Sequence, residues 1–245
     1  MKEINAGVII IGNEILSGKT VDTNSSFLAK ELRELGVSLR RIAVIPDELD
    51  LISETVAGFH LLYDIVFTSG GVGPTHDDIT IEGVARAFGR QVVRDPVLEK
   101  KLRAYLNGRQ ANEAYLKMAE TPEGAELIED GEVRFPTIKT ENVYILPGIP
   151  DVFRQKFLAM KSRFAGAPYY LRVLYTSEYE SVIAGYLNAT LLEFPDLMLG
   201  SYPKNNEPRY RVKITLESRD ESYLDRAFQH LIILLPKGCV VKTEG

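Results

Sequence analysis

The stretch Thr68-Ser69-Gly70-Gly71-Val72-Gly73-Pro74-Thr75-His76-Asp77-Asp78-Ile79-Thr80 gathers the residue types that handle phosphate. Gly70, Gly71 and Gly73 let the backbone turn its N–H groups toward an anion, and a helix expected to follow adds the positive end of its dipole. Ser69 and Thr75 flank the glycines as further phosphate-binding candidates. Asp77 and Asp78 place adjacent carboxylates in the same turn, where they would repel a phosphate unless a cation lay between. The chemistry implied is a phosphate ligand plus a divalent metal, with Asp77 and Asp78 as its candidate ligands.

Other loops add to this one. Open α/β sheets bind ligands outside the carboxyl ends of their strands, and four loops are expected there: Gly12 to Thr20 with Asp22 and Asn24 just beyond, Pro46-Asp47, Ser69 to Asp78, and Pro147-Gly148. They bring Glu14, Asp22, Asp47, Asp77 and Asp78 toward one side, with Lys19 and His76 as the only cationic candidates within them. Such an excess of acid could not hold a diphosphate without added positive charge. Each residue also has a plainer reading. Asp22 and Asp78 can cap helices, Asp47 can follow proline in a turn, and His76 can be an exposed loop residue. Gly12-Asn13-Glu14-Ile15-Leu16-Ser17-Gly18-Lys19-Thr20 is a near miss for a nucleotide P-loop, with five residues between its glycines instead of four. Glu14, Ile15 and Leu16 also fit poorly where amides should ring a triphosphate.

The elements that must position these loops follow from the apolar pattern. Ala6 to Ile11 and Asp64 to Phe67 are short continuous apolar runs, as in buried parallel strands. Val37 to Ile45 is a third strand. Helices are expected from Asp22 or Thr23 to Leu35, where Phe27, Leu28, Leu32 and Leu35 mark one face, from Glu48 to His60, and from Ile81 to Phe88. Strand–helix alternation over the first 90 residues predicts a mostly parallel sheet covered on both faces. Further on, helices are expected over Val97 to Leu106, Asn112 to Ala119 and Asp151 to Phe164, and short strands over Ala125 to Ile128, Val133 to Ile138 and Asn142 to Leu146. Ala165-Gly166-Ala167-Pro168 reads as a linker, dividing the chain into domains of residues 1–165 and 166–245. The second is expected to be a small α+β domain, with strands at Tyr169–Thr176, Leu197–Tyr202, Tyr210–Glu217 and Val240-Val241, and helices at Glu178–Glu193 and Asp220–Leu235.

The chain has 245 residues, 45% hydrophobic and 26% charged, with a net charge of −5. These values are ordinary for a globular protein with a sizeable core. No basic block points to nucleic acid, and no signal peptide or membrane-length apolar run is present. The single cysteine, Cys239, excludes an intramolecular disulfide. A cytoplasmic protein binding a small molecule, with neither nucleic-acid nor membrane partners, is the expectation.

In order along the chain, the motifs match a known family. Gly70-Gly71-Val72-Gly73-Pro74-Thr75-His76-Asp77-Asp78 resembles the GGxGPTxDD signature of the MoaB/Mog molybdopterin-binding fold, in its CinA branch. Gly12 to Gly18 with Asp22-Thr23-Asn24, Val44-Ile45-Pro46-Asp47 and Leu146-Pro147-Gly148-Ile149-Pro150 are similar to companion motifs of that branch. Phe135-Pro136, Asn142-Val143-Tyr144 and Leu199-Gly200-Ser201-Tyr202-Pro203 are similar to the N-terminal molybdopterin-binding-like region of FAD synthases. Thr137 to Glu141 stands where CinA proteins usually carry a GTAPG segment.

The resemblance implies a three-layer sandwich followed by a KH-like module, read here as a packing or homodimerisation unit because it lacks a GxxG loop. It also implies a metal-dependent nucleotide pyrophosphatase. Its substrate would be an adenine dinucleotide, either FAD split to FMN and AMP, or ADP-ribose split to AMP and ribose 5-phosphate. The cation would be cobalt or magnesium, with help from potassium. In this scheme Asp77 and Asp78 hold the metal and act catalytically, and Asp47 is a further ligand or the general base. Gly70, Gly71, Gly73, Ser69 and Thr75 bind phosphate. Gly12, Glu14, Asp22, Asn24 and Gly148 shape the nucleotide site. The alternatives are a molybdopterin-binding protein of molybdenum cofactor biosynthesis and a non-catalytic nucleotide-binding module. The nicotinamide-nucleotide amidase and adenylyltransferase activities of relatives map to C-terminal domains not found in this sequence, so neither is expected.

Overall fold

Alternation within the first strand sets the layers of the larger unit. In the computed structural model, which describes residues 3–107, 110–131, 133–204 and 207–245, β1 spans Asn5–Ile11. Ala6, Val8 and Ile10 enter one core and Ile9 and Ile11 another, because successive side chains of a strand point to opposite faces. After β1 come α1 (Asn13–Leu16), α2 (Asn24–Glu34), β2 (Ser38–Ile45), α3 (Leu49–Leu62), β3 (Ile65–Ser69) and α4 (Thr80–Ala87). Next are β4 (Val92–Arg94), α5 (Pro96–Tyr105), α6 (Glu113–Lys117), β5 (Glu120–Pro122), β6 (Glu126–Ile128), β7 (Thr137–Thr140), β8 (Val143–Leu146) and α7 (Pro150–Met160), the last running into a 3-10 turn, Lys161–Phe164.

The main sheet has the order β2-β1-β3-β8-β7-β6. β2, β1, β3 and β8 are parallel, β7 pairs antiparallel with β8, and β6 pairs antiparallel with β7 and so runs with the parallel strands. On one face α2 and α7 bury Leu28, Leu32, Phe153 and Phe157 against β1 and β3; on the other α3 and α4 bury Ile52, Val56, Phe59 and Val84. Phe157 and Phe164 stack with ring centroids 5.8 Å apart, and each meets Phe67 edge-on. Each of these fully buried rings contributes about 1.5–3 kcal/mol through the area it removes from water. The expected sheet covered on both faces is therefore present.

Some elements differ from the sequence reading. The segment read as a loop from Gly12 holds α1, because Asp47 accepts a hydrogen bond from the Asn13 N–H at 2.8 Å and supplies the acceptor that a helix N-terminus needs. The strand expected over Val133 to Ile138 is found at Thr137–Thr140; residue 132 lies outside the described residues. Pro136 has no N–H for a ladder, and the carbonyls of Phe135 and Pro136 are taken by the Lys156 ammonium at 2.8 and 2.6 Å. The β4–β5 pair was not foreseen.

The chain divides into compact units at Met1–Gly166 and Ala167–Gly245. The second unit holds β9 (Tyr170–Thr176), α8 (Glu180–Glu193), β10 (Met198–Pro203), β11 (Val212–Ser218), α9 (Glu221–Leu234) and β12 (Val240–Glu244). Its antiparallel sheet, in the order β10-β11-β9-β12, packs Leu174, Ile214 and Leu216 against Ile183 of α8 and Leu224 and Leu231 of α9. Among the described residues no helix is long and apolar enough to cross a membrane.

Candidate functional site

The glycine loop leaves the carboxyl end of β3 and enters α4, and its shape is fixed at both ends. Gly70 has φ +108°, and a side-chain carbon there would lie 2.1 Å from the Ile11 carbonyl oxygen, so only glycine fits. The buried Thr80 donates its hydroxyl to the Gly70 carbonyl (2.8 Å) and its N–H to the Gly71 carbonyl (3.0 Å), pinning the loop back onto the first turn of α4. Farther out, one carboxylate oxygen of Asp78 accepts from the Thr75 N–H at 2.8 Å and from the Thr75 hydroxyl. The Asp78 N–H donates in return to the Thr75 carbonyl at 3.3 Å. The N–H groups of Gly71, Val72 and Gly73 have no hydrogen-bond partner among the described residues. Successive amides without protein partners are the groups from which an anion-binding nest is built.

Asn24 joins three loops. It is 5% exposed at the start of α2, and its side-chain amide donates to the Ser69 hydroxyl at 3.0 Å and to the Gly148 carbonyl at 2.8 Å. Ser69 sits at the end of β3, and Gly148 in the loop after β8, where it backs onto Gly70. The Asn24 side-chain oxygen has no protein partner. Asp22 caps α2: it accepts from the N–H groups of Asn24 (2.9 Å) and Ser25 (3.1 Å) and from the Ser25 hydroxyl. The capping role of Asp22 is thus realised, and Asn24 spends both of its donors inside the protein. Asp22, Asn24, Ser69, Gly70 and Gly148 line a small cavity of about 60 Å³, which Glu14 also reaches.

The acids are distributed over separate hollows. Glu14, Asp47 and Asp77 line one open hollow of about 590 Å³ together with Asn13 and Lys19. Gly12, just before Asn13, donates its N–H to the Ile45 carbonyl at 3.1 Å. Asp78 lines a second hollow of about 660 Å³ with Arg86, Arg90 and Lys117. The adjacent acids therefore open onto different spaces, a division that their spacing in sequence does not show. Among the described residues, no three His, Cys, Asp or Glu side chains converge as a ready-made metal site. A hard cation of the magnesium type needs only one or two protein carboxylates when phosphate oxygens supply the rest. The hollow shared by Glu14, Asp47 and Asp77 fits that arrangement. The exposed Asp77 carboxyl is held below the usual carboxylate range, chiefly by its closeness to the Thr75 hydroxyl and then by its own N–H, with Lys117 adding a smaller attraction. The His76 ring is almost wholly exposed, 3.9 Å from Asp77.

Sequence reasoning missed Lys117 and Thr80. Lys117, from α6, donates to the Thr75 carbonyl at 2.7 Å and brings a cation to the tip of the glycine loop. Nothing in the loop motifs points to α6, which lies in the less regular stretch after residue 90. Thr80 does stand inside the motif, and a threonine at the first helical position after a glycine turn is a signal that could have marked it.

Fold and site together define an α/β protein with a glycine-rich loop and a set of acids at the carboxyl ends of its parallel strands. Residues 7–165 match the family described as probable molybdopterin binding domain, and residues 168–244 match the middle domain of FAD synthase. The chain belongs to that molybdopterin-binding-domain family, as a CinA-type MoaB/Mog protein. A protein of Archaeoglobus fulgidus is 35% identical over 229 residues, covering 93% of this chain and 96% of the relative. A probable FAD synthase of Caenorhabditis elegans is 34% identical over 257 residues, covering 94% of this chain but 50% of the relative. The chain thus spans about half that enzyme's length. The crystal structure of the protein CinA from Thermoplasma acidophilum superposes with a TM-score of 0.61 at 34% identity, covering 66% of this chain and 98% of that one.

Proposed function

We propose that this protein is a metal-dependent nucleotide pyrophosphatase that hydrolyses an adenine dinucleotide, either FAD to FMN and AMP or ADP-ribose to AMP and ribose 5-phosphate. The observation that carries the reading is the run of unpaired amides at Gly71, Val72 and Gly73 in the same loop as Asp77, which lines a hollow with Glu14 and Asp47. The amides would hold phosphoryl oxygens and stabilise charge that grows on them during attack. Asp77 with Glu14 would hold a divalent cation. When bound there, it supplies charge neutralisation of the diphosphate and a lowered pKa for attacking water.

Asp47 spends one oxygen on the Asn13 N–H, and its other oxygen is the candidate general base. Asp78 and Lys117 act on Thr75 and keep the nest in shape. In the reaction a water oxygen bonds to one phosphorus, the bond from that phosphorus to the bridging oxygen breaks, and a proton is released. The similarity to a probable FAD synthase supports a flavin-bearing substrate.

A second reading, binding of a phosphate-bearing molybdopterin, is favoured by the family description over residues 7–165. Chromatography of FAD and ADP-ribose incubated with the protein and magnesium or cobalt decides between them. The pyrophosphatase reading predicts equal amounts of AMP and the second monophosphate. Tight pterin binding with intact dinucleotides would overturn it.

A further inference from the structure

A cavity of about 840 Å³ opens beside the glycine loop, between Val72 of that loop, Pro147 before Gly148, and the helices α5, α6 and α7. Its size suits a ring-sized ligand. Its walls are apolar and aromatic, with Tyr105, Tyr115, Phe135 and Met118 among them. Its charges are all of one sign: Arg134 and Lys156 line it, and no aspartate or glutamate does so among the described residues.

The two cations are held differently. The Arg134 guanidinium lies over the Tyr105 ring, 4.6 Å from its centroid, and Tyr105 meets Phe135 edge-on. The Lys156 ammonium donates to the carbonyls of Phe135 and Pro136 and pairs with no carboxylate among the described residues. An ammonium has three donors, so one remains for a ligand. Burial pushes the Lys156 pKa down to about 8, as expected for a cation lacking a counter-charge.

We infer that this cavity takes the planar ring of a fused heteroaromatic carrying ring carbonyl oxygens, of the isoalloxazine type, with Lys156 donating to a ring oxygen. The inference rests on the pyrophosphatase reading and deepens it, assigning the flavin half of the substrate to this cavity and the diphosphate to the adjoining nest. The charge pattern favours an isoalloxazine over adenine. Adenine meets Lys156 and Arg134 with ring nitrogens only, and its amino group is a further donor beside two donors, whereas the isoalloxazine pyrimidine ring carries two carbonyl oxygens. An isoalloxazine offers acceptors to Lys156 and a flat face to the tyrosines, where stacking adds to area burial.

Riboflavin is the probe, because it has the ring and no phosphate and needs neither the nest nor a metal. Titration of riboflavin with the full chain, without divalent ions, should quench flavin fluorescence saturably, and a large excess of adenosine should not reverse the quenching. Lys156→Met should weaken riboflavin binding roughly tenfold or more, the loss of one charge-assisted hydrogen bond. Tyr105→Leu, at a residue 50% exposed and so away from the core, should weaken it roughly threefold or more. The Tyr105 variant and the adenosine competition decide the matter if the Lys156 variant fails to fold. Absence of riboflavin binding, displacement by adenosine, or unchanged affinity in both variants would overturn the assignment. AMP release from FAD without riboflavin binding would overturn the ring site and leave hydrolysis standing. Riboflavin binding without AMP release would do the reverse.

Discussion

Replacing Asn24 by aspartate tests the junction that holds the site's loops together. The change is nearly isosteric, but it puts a titratable group at a position 5% exposed, facing the Gly148 carbonyl at 2.8 Å and the Ser69 hydroxyl. An ionised carboxylate there would be desolvated and would oppose that carbonyl, so the folded state should keep it protonated. Holding an aspartic acid neutral at pH 7 against an unfolded pKa of about 3.9 costs up to about 4 kcal/mol. The neutral acid has one donor where the amide had two, so one hydrogen bond is also lost, adding about 1 kcal/mol. The sign with pH follows from the raised folded pKa. The folded variant binds a proton that the unfolded chain releases, so its stability falls as pH rises above about 4. Urea unfolding followed by circular dichroism should give a wild-type-minus-variant difference of about 5 kcal/mol at pH 7. At pH 5 it should be about 2.5 kcal/mol. A small penalty that does not change with pH would refute the claim that this junction is dry and directly bonded.

Further outcomes follow from the same geometry. Gly70→Ala should cost clearly more than the about 1–2 kcal/mol of a left-handed residue, because its new carbon meets a backbone oxygen; Gly18→Ala, at φ +71° with open space around it, should cost only that amount in the same urea assay. Asp77→Asn should leave the urea midpoint unchanged and lower AMP release on the order of a hundredfold or more, whereas Asp78→Ala should lower both, because it removes the Thr75 clamp. Burial holds Lys156 at about 8, so the folded chain loses that proton before the unfolded chain does, and stability should rise with pH from about 8 toward 10.5. Lys156→Met should lack that rise, which amounts to about 3 kcal/mol in unfolding experiments across that range.

Much of the fold was legible because its signals are local. Ala6 to Ile11 and Ile65 to Phe67 are continuous apolar runs that only a sheet buried on both faces accommodates. The α1 turn was not legible, since its helical form depends on Asp47, a partner 34 residues away. β4 and β5 are three residues each, too short to carry a period. At the site, the residue types at Gly70 to Asp78 pointed to an anion nest. That Asp77 and Asp78 turn to different hollows depends on the Thr75 clamp, which spacing alone cannot reveal. Lys156 did leave a trace: it stands three residues after the buried Phe153 and four before the buried Met160, on a helix face that should be apolar.

The proposed reaction cleaves the phosphate–phosphate bridge of an adenine dinucleotide with water. Incubating FAD and ADP-ribose with the folded protein in ¹⁸O-labelled water, with magnesium or cobalt and then with chelator, tests it most directly when the products are weighed by mass spectrometry. Metal-dependent hydrolysis gives AMP and a partner monophosphate from at least one substrate, with one labelled oxygen per product pair, and no products in chelator. Intact, unlabelled dinucleotides under every metal condition would contradict it.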